Sequence, residues 1–364
     1  MFDERAGMRL TVALIANVKP ARPASHLPED YYAECDSLET VQAIAAALRR
    51  AGHQVEPVEA NPALPTWLSR NPVDLAFNIA EGFEGPAREA RVPALLELMG
   101  IPYTGAGVLA LALAMDKTRS KQLFRAQGIP TPNFQRFHSP DDPLDKGLQF
   151  PLIVKPNGEG SGKGISAASV VRHAEPLQER VRWIRQHYRQ DALVEEFIAG
   201  TELTVGILEG RPLPALEVDF TPCAPRGENF YSWKVKEHQG NPAHGPDPRF
   251  FCPARLSAEQ TGIVQGVAVR AAAAVGAEAL ARVDVRLSSD GIPYVLEVNP
   301  LPGLDPKQSN LPMMAAAAGL SYDRLIQGIV ESAVRRSPQL SAPAAGAGTP
   351  PRSPEVLNRS TGGE

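Results

Sequence analysis

The stretch ARVDVRLSSDGIPYVLEVNPLPG, residues 281–303, constrains this chain more than any other. Two short apolar runs flank Ser-Ser-Asp-Gly, a turn-forming sequence, so the pattern predicts a β-hairpin. Successive side chains of a strand point to opposite faces. Arg282 and Asp284 therefore share one face of the first strand, and Glu297 and Asn299 one face of the second. Apolar residues at the alternate positions imply that the other face is buried. A guanidinium, two carboxylates and a carboxamide then converge. Hard oxygen ligands of this kind suit Mg²⁺ held with phosphates, and an adjacent guanidinium can offset charge on a phosphoryl group in transfer. An isolated pair of carboxylates would read as a surface ion pair; four polar groups opposite a buried face argue for chemistry.

Such a hairpin needs a larger body behind it. At 364 residues the chain exceeds one small core and suits two or three domains. The 43% hydrophobic and 21% charged fractions fit a soluble globular protein. With a net charge of −4 and no Lys/Arg block, nucleic acid is not an expected partner. Cys35, Cys223 and Cys252 lack metal-type spacing and imply a reducing compartment. The opening MFDERAGMRL has no apolar signal-peptide core. No apolar run reaches the ~18 residues of a membrane span. A cytoplasmic location, with no membrane partner, is the expectation.

Residues 9–16, a helix over 37–51, a strand near Val55 and another at 73–77 alternate as in a parallel sheet with crossover helices. This N-terminal α/β unit is placed at 1–110. A second α+β unit, 111–200, carries a helix at 116–128, strands at 133–137, 151–155 and 192–197, and a helix at 175–188. A third, 201–336, carries strands at 202–208 and 216–220, a long polar loop at 221–253, a helix at 257–275 and the hairpin. Its last helix shows Tyr322, Leu325, Ile326, Ile329 and Val330 at helical spacing. From Ser337 to the end, 337–364, Pro, Ala, Gly and Ser without periodicity predict a disordered tail.

Other segments carry chemistry. KPNGEGSGKGIS, residues 155–166, is glycine-rich and follows a strand ending in Lys155, which favours backbone contact with phosphates. It is not a P-loop: Gly158 and Gly162 are too close, and Gly164 stands where Ser or Thr is needed. In LVEEFIAGTELTV, residues 193–205, Glu195 and Glu202 can accept from an adenine amino group or ribose hydroxyls. In MDKTRSK, residues 115–121, Asp116 can cap a helix and Lys117 can bind phosphate. Arg119 and Lys121 read as solvated helix charges.

Taken together, these segments resemble the ATP-grasp enzymes, and within them the D-alanine–D-alanine ligases. The likeness runs over about residues 73–335 through PALLELMGIPYTGAG, ALAMDKTRSK, PLIVKPNGEGSGKGIS, LVEEFIAGTELTV, the hairpin, and LPMMAAAAGLSYDRLI, in the family's order and spacing. It implies a three-domain α/β (α+β) ATP-grasp fold behind an N-terminal parallel-sheet domain. The implied reaction is ATP-dependent peptide-bond formation through an acyl phosphate, with Mg²⁺ or Mn²⁺ as cofactor, in cell-wall synthesis. Lys117 and Lys155 match the phosphate lysines, and Ser161 the serine of the phosphate-covering loop. Glu195 and Glu202 match the adenine and ribose glutamates, with Glu196 and Ile198 offering backbone groups to the base. Arg282 matches the arginine that stabilises the intermediates, Asp284, Glu297 and Asn299 the metal ligands, and Gly303 a backbone position beside an oxyanion. Lys234 is assigned to the mobile-loop lysine, with Lys236 competing. Amino-acid or small-peptide substrates follow, and a homodimer is in keeping with the family.

The pattern departs from the family around the amino acids. The family's Gly-Gly-x-Ser-x-Glu stretch is replaced by Asn17-Val18-Lys19-Pro20 and a Pro-rich insertion, where Glu39 can stand in for the ammonium-binding glutamate. FNIAEGFEGPAREARVP, residues 77–93, puts Asn78 in place of a histidine and brings Glu81, Glu84, Arg88, Glu89 and Arg91 as a new charge pattern. After Gly303 comes LDPKQSN, in which Ser309 is a candidate carboxylate-binding hydroxyl. Intact nucleotide residues beside altered substrate residues leave a second branch open: a ligase for a different amino-acid or peptide pair. A non-catalytic ATP-binding module, which the intact Lys155, Arg282, Asp284, Glu297 and Asn299 oppose, and a kinase that stops at the acyl phosphate are further alternatives.

Overall fold

A computed structural model of the protein describes residues 8–22, 27–226 and 230–341. The alternating N-terminal pattern folds as a three-stranded parallel sheet, with Thr11–Ala16 between Gln54–Glu59 and Leu75–Asn78. The crossover helix Leu38–Arg50 starts at Ser37, whose hydroxyl accepts the Thr40 N–H, and buries Val41, Ile44, Ala45 and Leu48. Against it packs the late helix Tyr322–Arg336, whose Leu325, Ile326, Ile329 and Val330 join the same hydrophobic core. The last long helix is thus tied to the first sheet.

The central segment forms a four-stranded antiparallel sheet in the order Phe134–Phe137, Ala192–Glu196, Leu152–Pro156, Val170–Val171, backed by the helix Ala174–Tyr188. The third sheet is antiparallel and six-stranded. Its main path runs Arg249–Phe251, Leu216–Asp219, Gly200–Leu208, Leu280–Ser288, Pro293–Asn299, and the helix Ala258–Val275 packs on it. No helix among the described residues is long and apolar enough to cross a membrane.

Residues 221–253 are not one long loop: they hold a short helix at Trp233–Glu237 and the edge strand Arg249–Phe251. Nor does order stop at Ser337. Pro338–Ser341 make a helical turn, and Leu340 packs on the N-terminal core while Gln339 donates to Gly100 O at 3.2 Å. The rest of the predicted tail, 342–364, and part of the Pro-rich insertion, 23–26, lie outside the described residues. Helices at Leu64–Arg70, Arg91–Leu98, Val108–Met115 and Asn310–Ala317 were not legible as patterns. VLALALAM is apolar on every side and NLPMMAAA is short, so neither shows a stripe.

Candidate active site

The hairpin has the register that alternation demands: Arg282 lies opposite Asn299 and Asp284 opposite Glu297. Val283 and Val298 fill the core beneath. The Arg282 guanidinium grips Asp284 through Nε and Nη2, both at 2.9 Å. Asp284 also accepts from Thr204 Oγ1 at 2.8 Å and Asn299 Nδ2 at 3.2 Å. Two strands and a neighbouring one therefore fix a single carboxylate. Glu297 pairs with Lys117 Nζ at 3.2 Å. Burial alone would raise its pKa, yet Lys117, Lys155, Lys236 and Arg282 hold it well below the usual carboxylate range. Four cations around one acidic pair make a place for a polyanion. Two carboxylates and a carboxamide also fit a hard divalent cation.

Lys117 sits at the start of the helix Lys117–Ala126, where Asp116 caps the Arg119 N–H as its sequence position predicted. Lys155, next to last in the strand Leu152–Pro156, reaches Glu195, with Nζ 2.5 Å from Oε1. The other carboxylate oxygen pairs with Lys121 at 2.8 Å. Lys121 is not a solvated helix charge: it is 0% exposed, and it also donates to Thr131 Oγ1 at 2.8 Å. A buried ammonium persists there because a buried carboxylate and a hydroxyl meet it. Burial still pushes its pKa down to about 8. The Glu195 carboxylate is thus engaged by two lysines rather than free for a base or ribose.

A smaller cavity of about 90 Å³ is lined by Lys155, Glu195, Glu196, Phe197, Ile198 and Glu202, among others. The N–H groups of Glu196 and Phe197 donate to Asn133 O and Pro151 O, both at 2.9 Å. The Ile198 N–H has no acceptor among the described residues. Glu202 pairs with Arg286 at 2.5 Å, and burial raises its pKa.

A larger cavity of about 580 Å³ reaches from Lys117, Arg282, Glu297 and Asn299 to Gly303, Ser309 and Glu39. Ser161 lines it in a left-handed conformation, φ 49°. A Cβ on Gly303 would lie 2.8 Å from Ser309 Oγ, so the close approach of that hydroxyl, which accepts the Asp305 N–H at 3.0 Å, needs glycine. Lys234 is exposed and lines neither cavity; Lys236, one helical turn-half away, lines both. Burial, then Arg282, push the Lys236 ammonium below its ordinary pKa. The structure thus brings the competing lysine to the site. Asn78 is also elsewhere. It is buried at the end of the parallel-sheet strand Leu75–Asn78, where its Oδ1 accepts the Ala80 N–H at 3.2 Å, and it lines neither cavity.

Four further carboxylates line the large cavity as well: Asp36, Glu81, Glu89 and Asp305. Asp36 is pushed up to about 7 by burial and then by Asp305, and Glu81 rises by burial and by Glu34, Glu89 and Asp36. Glu81 and Glu89 were visible as an odd charge pattern. Asp36 carried no signal, because only folding brings 33–37 onto the cavity.

A family model described as D-ala D-ala ligase C-terminus matches residues 123–331. The chain is 38% identical over 300 residues to the D-alanine--D-alanine ligase of Gloeobacter violaceus, covering 81% of this chain and 93% of that protein. It is 39% identical over 302 residues to that of Syntrophotalea carbinolica, covering 82% and 92%. The crystal structure of D-alanine--D-alanine ligase from Bacillus anthracis complexed with ATP aligns with a TM-score of 0.70 at 25% identity, over 91% of this chain and 99% of that one.

Proposed function

This chain belongs to the D-alanine–D-alanine ligase family of ATP-grasp enzymes, and from that premise we propose that it uses ATP to join two amino acids, D-alanine with D-alanine being the first reading. The observation that carries it is the meeting of Lys117, Lys155, Lys236 and Arg282 around the Asp284–Glu297 pair, beside a cavity large enough for two small substrates. The units 1–110, 111–200 and 201–336 are proposed as its domains, each supplying one of the three sheets.

In this reading the adenine lies in the smaller cavity against Ile198, with Glu202 towards the ribose. Lys155 and Lys117 hold the phosphates; Glu195 fixes Lys155 by charge. The carboxylate of the first amino acid attacks the γ-phosphorus, giving an acyl phosphate and ADP. The amine of the second then attacks the acyl carbon, loses a proton, and phosphate departs. Arg282 and the Gly303 backbone offset the negative charge that develops at each transfer, while Ser161 and Lys236 close over the phosphates. Asp284, Glu297 and Asn299 would hold Mg²⁺, or Mn²⁺, which would neutralise phosphate charge.

A second reading has its own observation. Asp36, Glu81 and Glu89 line the substrate end, and their side chains make no hydrogen bond or ion pair among the described residues. D-alanine brings one ammonium group. Several unpaired carboxylates favour an amine with a second positive charge, such as a diamino acid. Release of ADP with Mg²⁺-ATP and a panel of D- and L-amino acids, singly and in pairs, with product masses, tests both. Turnover of D-alanine alone to the dipeptide supports the first reading. Turnover only with a diamino acid supports the second, and silence across the panel overturns both.

A further inference from the structure

The glycine-rich loop at 157–164 is anchored from outside its own sheet. Arg88, in the turn Arg88–Ala90 after the parallel sheet, is 4% exposed. Its Nη2 donates to both oxygens of Glu34 at 2.6 and 2.7 Å, and its Nη1 donates to Gly158 O at 2.9 Å. Glu34, equally buried, accepts the Gly160 N–H at 2.7 Å and pairs with Lys163 Nζ at 3.4 Å. Lys163 also pairs with Glu159 at 2.6 Å. A Cβ on Gly160 would lie 2.6 Å from Glu34 Oε1, so only glycine lets this carboxylate reach the backbone. The Gly158 N–H donates to Gln190 Oε1 at 2.6 Å. Two N–H groups that an anion nest would offer are therefore already taken up by side-chain oxygens. Ser161 sits between these anchors and lines it.

We propose that Arg88, Glu34 and Lys163 form an ionic clamp through which the N-terminal unit holds the glycine-rich loop closed on the nucleotide, making Arg88 and Lys163 positioning residues for Ser161. The proposal rests on the reading of the cleft as an ATP site. Burial would raise the Glu34 pKa, but Arg88 and Lys163 hold it below the usual carboxylate range, so the clamp is charged. Buried ion clusters contribute little net stability but fix one geometry, because any displaced member is left unpaired in the interior. A loop with glycines at Gly158, Gly160, Gly162 and Gly164 has many conformations to lose, and ordering it beforehand lowers the cost of binding.

The test uses the full chain, with the ATP Kd from nucleotide titration, KM and kcat, thermal unfolding, and hydrogen–deuterium exchange of the loop. The neutral pair Arg88→Met/Glu34→Gln removes both buried charges. Its expected outcome is a Tm near the parent's, an ATP Kd raised at least about tenfold and faster exchange of the loop. The single variant Lys163→Gln keeps the Arg88–Glu34 pair and raises the ATP Kd by about threefold; Arg88→Lys recovers part of the affinity lost in Arg88→Met. A Kd and loop exchange equal to the parent's in the neutral pair, or in Lys163→Gln where the pair does not fold, overturn the clamp. The readout needs no amino acid, so failure of the substrate assignment leaves it intact; a parent that binds no ATP overturns the nucleotide reading instead.

Discussion

Lys155 reaches Glu195 across neighbouring strands of the central sheet, Nζ to Oε1 at 2.5 Å, with both side chains buried. Because Lys121 takes the other oxygen at 2.8 Å, one carboxylate balances two buried ammonium groups. Glu195→Ala leaves both unpaired. The expected loss is about 3–5 kcal/mol of folding stability, measured as a lower urea midpoint at unchanged m-value. A loss under about 1 kcal/mol would show that water or rearrangement replaces the carboxylate.

Arg282, proposed here to offset the charge that develops during transfer, is held by Asp284 at 2.9 Å. Arg282→Ala is expected to lower kcat by about 10²–10³ while the ATP Kd changes by less than about threefold, because Lys117 and Lys155 are the proposed phosphate ligands. Single-turnover kinetics separate the two. Near-normal turnover would remove Arg282 from the charge-stabilising role.

Lys236 and Lys234 are distinguished by orientation alone on the helix Trp233–Glu237. Lys236→Met is expected to lower kcat/KM for ATP by about tenfold or more, and Lys234→Met to leave it within about twofold. Equal effects would mean the short helix turns during the reaction.

Asp36 has its carboxyl raised to about 7 by burial and then by Asp305. The folded chain therefore binds a proton that the unfolded chain, with an ordinary value of 3.8, has lost. Its contribution to stability is complete below pH 3.8 and is lost as pH rises through about 7. Asp36→Asn should stabilise the substrate-free protein at pH 8 by roughly 1 kcal/mol, less than the full shift implies because the side chain is partly exposed. The gain should shrink towards pH 4. Thermal unfolding at pH 5 and pH 8 reads it, and a gain independent of pH would assign the effect to packing.

Much of the nucleotide end was legible in sequence because it is local. The faces of the hairpin follow from strand alternation, so Arg282, Asp284, Glu297 and Asn299 could be placed together before any fold was known, and the register confirms that placement. The Asp116 cap and the helix Tyr322–Arg336 were legible for the same reason: a turn or stripe repeats within a few residues. The helices Val108–Met115 and Asn310–Ala317, apolar or alanine-rich, carried no such periodicity.

What the sequence determined by itself was the alternation of elements, the chemistry-bearing hairpin and the lysine that precedes the glycine-rich loop. What only the tertiary structure decided was which charges meet. Glu34 and Lys163, or Lys121 and Glu195, lie far apart in the chain and adjacent in space. Lys121 looks solvated on its helix until the strand carrying Glu195 buries it, and Asn78 looks like a substrate ligand until it turns into the protein interior. Strand and helix periods fix which face a side chain takes; the cost of burying an unpaired charge, met only when distant segments pack, fixes its partner.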